Sequence, residues 1–136
     1  MSLLTPRKVK HRKTMRGKQR GTATQKLKIN FGSYGLKAMS GALITARQIE
    51  SARRAITRYV QKGGKIWIRI FPDKAVSKKG SEVKMGGGKG AIDHYAAVVR
   101  PGNIIFEIDG IEEDMAKQAF RLASYKLPIK TKFIVK

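Results

Sequence analysis

The most regular pattern in the chain is a run of apolar residues at helical spacing that follows Thr45. Apolar side chains recur every three or four positions there, at Ile49, Ala52, Ile56 and Tyr59 or Val60. Thr45 and Gln48 have the spacing of a capping box, in which each side chain satisfies the other residue's backbone N–H. Gly63 and Gly64 are typical of a helix end. The pattern predicts a first helix that begins at Thr45 and ends before this glycine pair.

Strand patterns surround this helix. Residues 65–71 alternate strictly, with isoleucines on one side and Trp67, Arg69 and Phe71 on the other, until Pro72 ends the run. Residues 94–100 and 104–109 predict two strands joined as a hairpin through residues 101–102, and residues 130–135 predict a last strand. Residues 30–40 predict one or two short strands with turns at Gly32 and Gly35.

A second helix is predicted over residues 112–126. Its expected apolar face comprises Ile111, Met115, Ala119, Leu122 or Ala123, and Tyr125 or Lys126. Acidic residues lead the segment and basic residues end it, which complements the helix dipole. Strands and helices in this order predict an α+β fold, in which two helices pack on one face of a mixed or antiparallel sheet.

The first 28 residues lack this patterning. No acidic residue precedes Glu50, whereas twelve lysines and arginines do, ten of them between Arg7 and Lys28. Such a segment repels itself and buries little apolar surface, so it is not expected to order alone. We interpret residues 1–28 as a basic arm and residues 29–136 as one domain. With a net charge of +21 over 136 residues, the chain is predicted to bind nucleic acid.

The candidate contact residues are basic side chains of the arm and of the first helix. Arg54, Arg58 and Lys62 share one helix face, which suits contact with phosphates. The full candidate set is Arg7, Lys8, Lys10, His11, Arg12, Lys13, Arg16, Lys18, Arg20, Lys26, Arg47, Arg54, Arg58 and Lys62.

Residues 73–92 form a second candidate surface. This stretch holds five glycines and five lysines without a regular pattern, and long loops of this kind are usually functional or disordered. Its candidate contact residues are Lys78, Lys79, Lys84, Met85, Gly86, Gly87, Gly88, Lys89 and Gly90. Glycine lets a backbone approach phosphates closely, although a merely mobile surface loop is the alternative.

The same residues argue against a bound nucleotide cofactor. Residues 86–91 match a dinucleotide-binding fingerprint, but a strand pattern follows where a helix is needed. No cofactor is therefore predicted.

Catalytic and metal sites are also not predicted. Asp93 and His94 are neighbours on a strand and are expected to face opposite sides. Glu107 and Asp109 share a strand face, but the few acidic residues are needed for caps and charge balance. Trp67, Arg69 and Phe71 suit base stacking, although burial in the core is the preferred interpretation.

The rest of the composition excludes several kinds of site and leaves one alternative function. There is no cysteine, so disulfides and thiolate metal sites are excluded, and no apolar run is long enough for a membrane span. Neither a mitochondrial presequence nor a nuclear-localisation signal is the preferred interpretation of the basic start, and no homo-oligomer is expected. A free-standing RNA chaperone or nucleoid-type protein would need the same charge, so it is the alternative function.

Five ordered blocks then carry a resemblance to a known family. They are residues 5–21, residues 44–74 (ITARQIESARRAITRYVQKGGKIWIRIFPDK), residues 82–90 (EVKMGGGKG), residues 100–110 (RPGNIIFEIDG) and residues 125–133 (YKLPIKTKF). In order and spacing the chain resembles the bacterial-type family of large-subunit ribosomal protein sixteen (uL-sixteen). It departs from the family's pattern at Lys84, where arginine is common.

The resemblance implies a non-enzymatic structural component of the large ribosomal subunit. It implies binding to 23S-type rRNA, neighbouring ribosomal proteins as partners, and a place near the peptidyl transferase centre. The loop of residues 77–91 would approach A-site tRNA, and P-site tRNA is the alternative. The implied location is the ribosome of a bacterial cytoplasm, with an organellar ribosome as the alternative.

Overall fold

The structure, a computed structural model, describes residues 3–136. Within this range the chain forms seven strands and two helices. The first two residues of the predicted arm lie outside this range. In chain order the elements are β1 (Tyr34–Ala38), β2 (Ala42–Thr45), α1 (Ala46–Val60), β3 (Lys65–Ile68), β4 (Lys74–Ser77), β5 (Ile92–Val99), β6 (Ile104–Asp109), α2 (Glu113–Ser124) and β7 (Thr131–Val135). The predicted α+β fold class is confirmed.

The strands form two sheets, whereas the sequence predicted one. One sheet has the order β3-β6-β1-β7 and the other β2-β5-β4. Every strand pairing within residues 3–136 is antiparallel, so the mixed sheet is wrong and the antiparallel alternative is right. Each sheet contains strands that are distant in sequence, and the pairing of β1 with β7 in the four-stranded sheet joins the two ends of the domain.

The predicted hairpin of β5 and β6 is wrong because these strands belong to different sheets. The backbone of their connection bonds elsewhere. Gly102 N–H donates to Ala38 O at 2.8 Å, and Ala38 N–H donates to Asn103 O at 2.8 Å. Residues of the arm occupy further positions, since Ile104 N–H donates to Lys26 O at 2.9 Å. The connection is therefore hydrogen-bonded both to the end of β1 and to the arm.

Three local predictions also differ from the structure. Gly35 lies inside β1 and makes no turn, and an added Cβ there would lie 3.1 Å from Ile29 Cδ1, so glycine makes room for that side chain. β2 was not predicted because it has only four residues directly before the helix. β4 lies within the predicted loop, which shortens the irregular part to residues 78–91.

Both helices contribute their small and branched residues to the core. α1 lies against β2 and β5, α2 lies against β1 and β7, and the two helices contact each other. The buried residues of α1 follow the predicted spacing, except that Tyr59 is exposed. The predicted face of α2 is partly wrong, because Met115 and Leu122 are exposed while Phe120 is buried. Alanines let α2 approach its neighbours closely, so these longer side chains stay outside.

Candidate nucleic-acid interface

The predicted contact cations lie on the surface. Each candidate residue of the arm and of α1 is exposed, as is every candidate of the loop except Lys79 and Gly90, which are half-buried. A basic side chain that contacts phosphate must keep its charged end accessible. The exposed set therefore has the accessibility that such contacts require.

The arm follows the surface of the domain without a helix or strand of its own over residues 3–28. Near its end, Ala23 N–H donates to Pro101 O at 2.9 Å, and Asn103 Nδ2 donates to Gln25 O at 3.0 Å. Arg100 Nε donates to Arg20 O at 3.2 Å. Backbone groups of the arm therefore bond to the β5–β6 connection, which leaves its basic side chains directed to solvent.

Further back, the arm meets the glycine- and lysine-rich loop. Lys13 Nζ donates to Lys89 O at 2.9 Å, and Thr14 Oγ1 donates to Ala75 O at 3.2 Å. The two segments were predicted separately as contact surfaces, and nothing in the sequence pattern placed them together. The structure joins them into one basic region along β4.

The loop of residues 78–91 is closed at its base and open at its tip. Lys78 N–H donates to Ala91 O at 3.1 Å, and Lys79 Nζ donates to Gly86 O at 2.6 Å. A Cβ on Gly90 would lie 2.9 Å from Lys78 O, so the base requires glycine. At the tip the Met85 side chain is 97% exposed. The loop thus has a defined stem that carries an accessible end.

The three tip glycines need glycine for a different reason. Gly86, Gly87 and Gly88 have φ values of +95°, +76° and +98°, which L side chains rarely adopt. An added Cβ at any of them would have nothing within 4 Å. The free space is on the protein's outer side, so a partner can approach this backbone closely.

The basic face of α1 begins after a well-formed N-terminus. Gln48 N–H donates to Thr45 Oγ1 at 3.2 Å and Thr45 N–H donates to Gln48 Oε1 at 3.0 Å, which confirms the predicted capping box. Further along, Arg54 Nε donates to Glu50 Oε1 at 3.0 Å, yet its side chain is 63% exposed. Arg58 on the next turn is exposed as well.

Glu50 is tied to α1 more firmly than its surface position suggests. Hydrogen bonds from Arg53 lower the pKa of Glu50 to about 2, and Arg54 adds to this effect against the opposing effect of burial. The carboxylate therefore stays ionised over the whole physiological range. It neutralises part of the basic face at Arg54 and leaves the charge beyond it intact.

Asp93 and His94 do form a hydrogen-bonded pair, contrary to the sequence prediction. Asp93 Oδ2 lies 2.7 Å from His94 Nδ1. The register of β4 against β5 shifts between Val76 and Ser77, so Asp93 is an extra residue in the ladder. Such a bulge interrupts the alternation of faces, which allows neighbouring side chains to meet. The hydrogen bond lowers the pKa of the exposed Asp93 carboxyl, and the charges of Lys78 and Arg47 add to the effect.

The pair lies beside the base of the loop. Arg47 at the start of α1 lines a cleft with His94 and with Leu3 and Thr5 of the arm. Arg47 thus adjoins the arm and loop region, whereas Arg54 and Arg58 line a separate cleft beside α2. The predicted helix face is partly wrong, because α1 ends at Val60 and Lys62 lies beyond it, while Arg54 and Arg58 remain together.

Glu107, which shares a strand face with Asp109 in the sequence pattern, holds the beginning of the domain in place. Its Oε2 accepts hydrogen bonds from the N–H groups of Phe31 at 2.7 Å and Gly32 at 3.0 Å, and its Oε1 accepts from Asn30 N–H at 3.0 Å. Arg69 forms an ion pair with the same Oε1. Burial tends to raise the pKa of Glu107, but these donors outweigh it and hold the pKa below its ordinary value. A fully buried carboxylate held in this way has a structural role.

The aromatic residues near this ion pair are arranged differently from a base-stacking platform. Trp67 stacks on Phe31 with ring centroids 6.1 Å apart, and the Arg69 guanidinium lies 5.3 Å from the Phe31 centroid. Phe31 was not singled out from the sequence, because its partner lies on a distant strand. Trp67 is half-buried and Arg69 is engaged with Glu107, so packing is their principal use. The predicted burial of Phe71 is wrong, because β3 ends at Ile68 and Phe71 is exposed.

Residues 3–136 hold neither a candidate metal-binding cluster nor a candidate membrane-spanning helix. No group of three or more histidine, aspartate or glutamate side chains in residues 3–136 is placed to hold a metal ion. No helix in the same range has the length and apolar character that a membrane crossing requires.

Comparison with known proteins decides the family. The family model described as "Ribosomal protein L16p/L10e" matches residues 6–134. The chain belongs to this family. It is 55% identical over 134 residues to "Large ribosomal subunit protein uL16" of Trichodesmium erythraeum, which covers 98% of each chain. It is 56% identical over 134 residues to "Large ribosomal subunit protein uL16c" of Phaeodactylum tricornutum, which covers 98% of this chain and 97% of the relative.

Membership in the L16p/L10e family makes the chain a ribosomal protein. The match includes nearly the whole arm, the loop and both helices, so it covers all the predicted contact surfaces. The resemblance noted in the sequence is thereby confirmed.

Proposed function

We propose that this protein is a structural component of the large ribosomal subunit that binds 23S-type rRNA through its arm and the basic face of α1. The two relatives compared above are named as large-subunit proteins, which supports the choice of subunit. Ribosomal RNA is a dense phosphate array, and binding to it by shape and phosphate needs no base-reading motif. The protein acts without catalysis, through assembly and positioning, in a bacterial cytoplasmic ribosome.

We further propose that the loop faces A-site tRNA near the peptidyl transferase centre. The observation that carries this proposal is the hydrogen bond between Lys13 of the arm and Lys89 of the loop. Through it, an arm held by rRNA fixes the direction of the loop stem, while the tip with Met85 remains free. The exposed backbone of Gly86–Gly88 is then available to tRNA or to the rRNA that positions it. Neighbouring large-subunit proteins complete the set of partners.

The arm proposal is tested by the salt dependence of binding to large-subunit rRNA. Replacing Arg12, Lys13 and Arg16 by Ala removes three exposed positive charges. Each lost phosphate contact reduces the slope of log affinity against log salt by about 0.7–0.9. We therefore expect a slope lower by about 2–3 and weaker binding at low salt, measured by filter binding.

A charge-matched variant separates the arm from net charge. Lys117, Lys130 and Lys132 are exposed residues outside the proposed surfaces, and their replacement by Ala removes the same charge. We expect this control to bind with nearly the wild-type slope. An arm variant whose affinity and slope equal those of the control would overturn the proposal.

A further inference from the structure

The cleft between α1 and α2 exposes large apolar side chains that the core does not use. Tyr59, Leu122 and Tyr125 line this cleft of about 660 Å³ and are 41%, 39% and 66% exposed. The residues that α2 contributes to the core are alanines and Phe120, which are fully or almost fully buried. The two tyrosines are therefore only partly buried in the domain, and the exposed surface of their rings is available to a partner.

Positive charge surrounds these rings. Arg54, Arg58 and Lys126 line the same cleft, and Arg121 Nε donates to the Tyr125 hydroxyl at 3.0 Å. Within residues 3–136, no acidic side chain lines the cleft. Glu50 reaches its rim only through its ion pair with Arg54. Aromatic rings among cations fit a partner that carries flat bases on a chain of phosphates.

We propose that this cleft binds an unpaired nucleotide of RNA, with its base stacked on Tyr125 and its phosphates held by Arg54, Arg58 and Lys126. The inference rests on the proposed rRNA binding and specifies what the α1 surface recognises. Base stacking on aromatic side chains accepts any base, since each base has a π face. Three cations line the cleft without an acidic residue among its lining side chains in the described part of the chain, and this charge favours a polyanion that also carries flat bases.

The test compares Tyr125→Ala with Tyr125→Phe in the full chain. The phenylalanine variant keeps the ring and loses only the hydroxyl, so it is the matched control. Loss of one base–aromatic stack weakens binding between about fivefold and 150-fold. We expect this loss for Tyr125→Ala with large-subunit rRNA and near wild-type affinity for Tyr125→Phe. The salt slope should be unchanged in both, because no charge is removed.

Ultraviolet crosslinking gives a direct second measurement. Wild-type protein bound to large-subunit rRNA should yield nucleotide adducts on peptides containing Tyr59 or Tyr125. Equal rRNA affinities for wild type, Tyr125→Ala and Tyr125→Phe, together with an absence of such adducts, would overturn the cleft proposal. Weak binding of the arm variant in the same experiment would show that the proposed function still holds. Normal binding of Tyr125→Ala to naked rRNA, with poor retention in particles holding other ribosomal proteins, would show a protein in the cleft and also overturn it. Failure of the wild-type chain to bind large-subunit rRNA would refute the proposed function itself.

Discussion

Replacement of Glu107 by Gln is expected to be among the most destabilising conservative changes in the domain. The carboxylate is fully buried and accepts three backbone hydrogen bonds in addition to its ion pair with Arg69. A glutamine has the same shape, but its NH2 group cannot accept a hydrogen bond. In one orientation this group faces the N–H groups of Phe31 and Gly32, and in the other it faces Asn30 N–H and Arg69. One partner of a buried ion pair is also left without a counter-charge. Breaking such a pair costs about 3–5 kcal/mol, a large part of the total stability of a small domain.

Urea unfolding measures this loss directly. Trp67 is the only tryptophan and stacks on Phe31, whose N–H is bound by Glu107, so its fluorescence reports on this region. Coincident unfolding transitions measured by tryptophan fluorescence and by circular dichroism would indicate two-state unfolding. Glu82→Gln, a change at an exposed loop residue, is the matched control and should alter the free energy of unfolding by less than about 0.5 kcal/mol.

The same variant should change how stability depends on pH. The folded-state pKa of Glu107 lies below its ordinary value of 4.5, so its stabilisation is present above pH 4.5 and is lost as pH falls through the folded-state pKa. Glu107→Gln should therefore reduce the fall in stability below pH 4.5, while Glu50, with its pKa of about 2, still contributes to it. A loss below about 1 kcal/mol at neutral pH, with the wild-type pH profile retained, would refute this account of Glu107.

Two further predictions concern the loop and the first helix. Gly87→Ala and Gly63→Ala have the same backbone cost, about 1 kcal/mol, because φ is +76° and +80° and both positions have free space. Reconstituted large subunits should bind A-site tRNA more weakly only with Gly87→Ala, and equal tRNA affinities for the two variants would argue against the role of the loop. Thr45→Ala removes the hydroxyl that accepts from Gln48 N–H and should lower the free energy of unfolding by about 1 kcal/mol in urea titrations. No change in the unfolding midpoint would show that the cap contributes nothing.

Local patterns predicted the helices well because their signals lie within a few residues. The capping box at Thr45 and Gln48 is present, and the buried positions of α1 follow the expected spacing through Ile56 and Val60. The face of α2 was only partly predicted. Hydropathy favoured Leu122, whereas close packing of the two helices favoured small side chains such as Ala119.

Distant contacts explain what local patterns missed. The division into two sheets depends on Ala38 and the arm bonding to the β5–β6 connection, and no short pattern encodes that partnership. The meeting of Lys13 with Lys89 and the binding of residues 30–32 by Glu107 join segments about 75 residues apart. The Asp93–His94 pair depends on a bulge in the β5 ladder, which strict alternation does not predict.

The central claim is that this basic chain is a stoichiometric component of the large ribosomal subunit, and sedimentation tests it most directly. The untagged protein is followed through a sucrose gradient of cell lysate at low magnesium and moderate salt, which separates the subunits. The account predicts one copy per particle in the large-subunit peak. Recovery at the top of the gradient, or together with DNA, would contradict it and favour a free-standing nucleic-acid-binding protein.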